Sequence, residues 1–208
     1  MSAADYIITF VSIVFGLALT DLATSLHRLL RGGRRVKWDW LAPMAALLVG
    51  MSVVNYWWSF YQRMEVSDLA HFGTFLPVLG ELLILFLLAS AVLPDEAPEA
   101  GLDLRAFYME TRVYFWGLFL LLLVWTTTTH IVTRFGEGAG PADAILPSLD
   151  NLVAIVVFAA MTRVRRPWVH AAVLAGLVAF SLLDWHAMRV GDPAPAPAPA
   201  AAAARPSS

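Results

Sequence analysis

Apolar residues in this chain gather into six blocks of about twenty positions, and most polar and charged residues fall in the gaps between them. The blocks are Tyr6–Leu26, Leu41–Tyr61, Phe72–Leu93, Val113–Thr133, Ala142–Thr162 and Trp168–Met188. Each is close to the ~20 residues that a helix needs to cross a hydrocarbon core of ~30 Å. None alternates with period two as a barrel strand would, and in lipid every backbone amide must be satisfied within its own segment or in a closed barrel. The pattern predicts an all-α protein, a polytopic transmembrane helix bundle of about six transmembrane helices sharing one domain over residues 1–190. From Pro193 the chain reads PAPAPAPAAAAARPSS, so residues 191–208 are predicted to form a disordered Pro/Ala-rich tail.

Composition agrees with that class. Only 14% of residues are charged and 59% are hydrophobic, with a mean hydropathy of +0.68. A soluble domain carries roughly a quarter charged residues because its surface faces water. Cysteine is absent, which excludes disulfides, thiolate metal sites and cysteine nucleophiles. The first block follows Asp5 without a preceding Lys or Arg, so a cleaved signal peptide is not expected.

Charge matters through its placement. Arg28, Arg31, Arg34, Arg35 and Lys37 crowd the first loop, and Arg163, Arg165 and Arg166 the fifth. Two basic loops separated by an even number of helices lie on one side, which the positive-inside rule makes cytoplasmic. Both termini are then expected outside, in what we read as a bacterial inner membrane. The third loop carries Asp95, Glu96, Glu99 and Asp103, which weigh little in topology. Trp40 with Trp57, and Trp168 with Trp185, bracket two blocks at about 26 Å, close to the spacing of the interfacial belts.

Glu81 is the most informative residue for function. It falls near the middle of the third block, where a charge is penalised by a few kcal/mol, so it must be neutral, paired or turned to a wet cavity. Pro77, one turn earlier, deprives the carbonyl of Gly73 of its donor, and Gly80 permits a close helix approach. The fifth block repeats the motif faintly: Leu76-Pro77-Val78-Leu79-Gly80-Glu81-Leu82 aligns with Leu146-Pro147-Ser148-Leu149-Asp150-Asn151-Leu152, which sets Asp150 and Asn151 at a depth like that of Glu81. Asp21 and His130 complete the set of transport-path candidates, His130 because imidazole titrates near neutral pH. For each there is a plainer role: an interhelical hydrogen bond for Glu81, a wet vestibule for Asp150, an interfacial pair with Arg28 for Asp21, and simple solvation for His130.

In the first block Ser12, Gly16 and Thr20 share one face with small-xxx-small spacing, and the expectation is that this face packs against another helix. No histidine spacing suits a metal and no phosphate loop or nucleophile motif is present, so no cofactor, metal or catalytic residue is assigned and an enzyme is the least favoured class. The glycine hinge and interleaved apolar residues of the first loop make no case for nucleic acid. Arg31, Arg34 and Arg35 suit anionic lipid headgroups instead. Titratable residues occur at several depths, the arrangement a proton or cation path requires. The leading expectation is a small transporter or channel for protons, cations or a small solute. The alternative is an accessory or scaffold subunit that binds another membrane protein or a second copy of itself.

Overall fold

The computed structural model describes residues 3–63, 72–96, 98 and 101–187. The second loop, with Glu65, Asp68 and His71, and the C-terminal tail fall outside these residues. The helices are α1 (Ala3–Gly32), α2 (Leu41–Arg63), α3 (Phe72–Ala91), α4 (Leu104–Gly136), α5 (Pro141–Ile145), α6 (Leu149–Arg163) and α7 (Pro167–Ala187). The protein is an all-α bundle. Among the described residues, five helical segments, α5 and α6 counting as one, are long and apolar enough to cross a membrane, and Phe75–Ala91 of α3 is a shorter apolar helix. This is a membrane protein.

Helix ends depart from the span ends for local reasons. α4 begins nine residues before Val113, because Asp103 caps it by accepting from the amides of Arg105 and Ala106 at 3.0 and 3.1 Å. The fifth segment is not one continuous helix. Pro147 has no N–H for the carbonyl of Asp143, and the chain passes through a 3-10 turn at Leu146–Ser148 before α6 starts.

α2 is the central element, packed against α1, α3, α4 and α7. Its inward stripe is Ala42, Ala45, Ala46, Val49 and Val53, side chains small enough for neighbouring helices to come close. The inward face of α1 is Val11, Phe15, Ala18, Ser25 and Leu29. Within this single bundle the face expected to pack is largely uncovered. Gly16 and Thr20 point outward, nothing lies over Gly16, and the Thr20 hydroxyl turns back to the Gly16 carbonyl at 2.7 Å. Ser12 is half-buried and accepts a long 3.4 Å bond from the Trp57 indole.

The first, third and fifth loops meet at one end of the bundle. Val36–Lys37 (β1) pairs in parallel with Leu102–Asp103 (β2), and Lys37 Nζ reaches Asp103 Oδ2 at 2.7 Å. The acidic third loop therefore lies against the basic first one. Lys37, hydrogen-bonded to its carboxylate, and the Ala106 amide hold Asp103 below the usual carboxylate range. Asp95 joins the same seam, its carbonyl accepting from Arg28 at 3.2 Å. The fifth loop is tied in by His170, whose Nε2 bonds the Val164 carbonyl at 3.0 Å. Its Nδ1 meets Tyr108 Oη at 3.0 Å and Trp116 Nε1 at 3.1 Å. With Nε2 as the donor to Val164, Nδ1 is the acceptor for both, which assigns one neutral tautomer.

Candidate functional site

Glu81 lies halfway along α3, on the side that faces α1 and α2. It lines a cavity of about 20 Å³ together with Phe15 of α1, Tyr56 and Phe60 of α2, and Val78, Leu82 and Leu85 of its own helix. That volume admits roughly one water molecule. Glu81 itself is half-buried, and the other residues that line the cavity are apolar or aromatic.

The helix beneath Glu81 is fixed from the opposite side. Pro77 leaves the regular ladder incomplete, and its own carbonyl accepts from the Trp125 indole of α4 at 3.1 Å. The same indole lies over Gly80. One aromatic residue thus grips both helix-breaking residues, and Glu81 follows about 100° further round the helix from Gly80.

The other candidates are placed elsewhere. Asp21 is half-buried at the end of the bundle where the basic loops gather, and accepts from Ser90 of α3 at 2.6 Å. Asp150 is exposed in the first turn of α6, where the helix dipole favours a carboxylate. Asn151 beside it is half-buried. Neither lines the Glu81 cavity. His130 is exposed on α4, as is Asp184 on α7. His170 is fully buried in the aromatic network. The titratable residues are thus not gathered along one interior path. Glu81 lines the small cavity between α1, α2 and α3, and Asp21 forms a separate polar contact between α1 and α3. No group of three or more His, Cys, Asp or Glu suited to a metal occurs among the described residues.

Arg31, Arg34 and Arg35 are exposed and form no ion pair with any described residue, and the same holds for Arg165 and Arg166 of the fifth loop. Sequence reasoning passed over Trp125, Ser90 and Ser148, each of which needs its partner helix to acquire a role. For Trp125 only its register with Pro77 across the helix pair distinguishes it. Comparisons with protein-family models, with curated proteins and with solved structures find no match to this chain.

Proposed function

We propose that this protein is a small transporter or channel for protons, cations or a small solute, built from six membrane-crossing helices with Glu81 at its centre. One observation supports the reading: Glu81, halfway along α3, lines a small cavity between α1, α2 and α3. An acid at that depth is costly, and an interior position beside a pocket of water size is where it exchanges a proton or meets a cation. The gathering of the arginine-rich first and fifth loops at one end supports a cytoplasmic assignment for that end, with both termini on the other side of a bacterial inner membrane. Flux into vesicles containing the purified protein and a pH-sensitive dye tests the class. Rates no higher than those of protein-free vesicles, for protons and for alkali cations, would remove it.

A second reading has its own support. The Gly16 and Thr20 face of α1 points outward with nothing over the glycine, so it is available to a partner helix. In that reading the protein is an accessory or scaffold subunit, or associates with its own copies. The exposed Arg31, Arg34 and Arg35 anchor it to anionic headgroups in either case. A stoichiometric partner that co-purifies with wild type and is lost in Gly16→Leu favours this second reading.

A further inference from the structure

A second polar feature lies between α4 and the broken fifth segment, away from Glu81. The hydroxyls of Thr127 and Ser148 are buried without a hydrogen-bond partner. Both residues are almost completely enclosed, Thr127 at 4% exposure and Ser148 at 1%. Neighbouring threonines bond back to their own helix, Thr126 to Leu123 and Thr129 to Trp125. Thr127 does not, although that bond is the ordinary solution for threonine in a membrane helix. Ser148 holds the N-cap position of α6 yet makes no capping bond.

The helix register brings the two together. Trp116 of α4 stacks on Phe158 of α6 with ring centroids 5.2 Å apart. Thr127 is eleven residues beyond Trp116, three turns on the same face, and Ser148 is ten residues before Phe158 on the antiparallel neighbour. Both residues thus lie about three turns from that aromatic contact, on neighbouring segments that pack together. The two hydroxyls do not bond each other. Leu146 and Pro147, the two residues before Ser148, line an open vestibule of about 510 Å³ together with the Arg134–Glu137 ion pair and Asp143. The proline also leaves the Asp143 carbonyl without its helical donor.

Two buried hydroxyls each supply a donor and an acceptor, and a water molecule needs two to four such partners. We propose that the break between α5 and α6 is a hydration site, with an ordered water held between Thr127 and Ser148 and supplied from the vestibule above. A cation is a poorer fit, because two neutral hydroxyls are too few oxygens for an alkali ion and no carboxylate is buried with them.

Thermal melting of the purified full chain in detergent tests this through Thr127→Val, Ser148→Ala and the double variant. A shared water requires each single change to lower Tm by a few degrees and the double to lower it little more than the larger single, because the same bridge is lost. Dry, unpaired hydroxyls require the opposite: each apolar replacement neutral or stabilising, with additive effects, and that outcome overturns the proposal. Melting curves in sodium chloride and choline chloride should coincide. A sodium-dependent gain lost in the double variant would overturn water in favour of a cation. Should an apolar variant fail to fold, the cysteine-free background supplies a second measurement. The Ser148→Cys thiol should react with a small charged methanethiosulfonate and the Ala89→Cys thiol in the apolar core should not. Equal inertness of the two contradicts hydration.

Discussion

Gly80 and Trp125 are in such close contact that a Cβ on the glycine would stand 2.9 Å from the indole Cζ2. No ordinary packing accommodates that distance, so α3 and α4 approach each other here only because position 80 has no side chain. The contact fixes the backbone one residue before Glu81, which lines the cavity between α1, α2 and α3.

Gly80→Ala should destabilise the protein by about 1–3 kcal/mol through overpacking at this contact, although alanine is the better helix former by about 1 kcal/mol. Gly16→Ala, with open space around it, should be neutral or stabilising. Thermal melting of the two variants side by side is the check, and equal tolerance of both would contradict the close approach.

The Tyr108, Trp116 and His170 network should be worth more than its size suggests. Tyr108→Phe removes one of two donors to Nδ1 and should cost roughly 1–2 kcal/mol. His170→Ala leaves a cavity beside Trp116, Phe115 and Tyr108 as well as a buried hydroxyl and indole N–H without their shared acceptor, and should cost about 2–5 kcal/mol. Melting temperature and a shift in tryptophan emission report both changes.

The loop junction should respond to acid. Lys37 holds Asp103 in its charged form below the usual carboxylate range, so its stabilising effect is present above the unfolded value near ~3.9 and is lost as pH falls through the depressed one. Hydrogen exchange at the first turn of α4 should accelerate on acidification across that range. In Asp103→Asn the ion pair is gone, and exchange there should be faster at neutral pH and less sensitive to acid.

How much of this was legible in the sequence depends on which interactions carry the information. The apolar blocks are a property of composition over twenty residues, so the bundle and most segment limits could be read directly. The inward face of each helix could not. In lipid both faces of a helix are apolar, and the contrast that marks a buried face in water is lost. The stripe of Gly16 and Thr20 therefore resembled a packing face, while the alanines of α2, which do the packing, resembled plain hydrophobic filler. Pro147 was visible, but whether it starts a helix or breaks one depends on the 3-10 turn around it. The separation of Asp150 from Glu81 reflects a helix face that four matching letters in an apolar background do not encode.

The central claim rests on Glu81, and the most direct measurement is proton or cation flux through wild type and Glu81→Gln in the same vesicles. Glutamine keeps the shape and most of the hydrogen-bonding capacity but removes the exchangeable proton and the charge. Flux should collapse in Glu81→Gln while its melting temperature stays close to wild type. Unchanged flux in a well-folded Glu81→Gln protein would contradict the account and leave Glu81 as an interior hydrogen-bonding group.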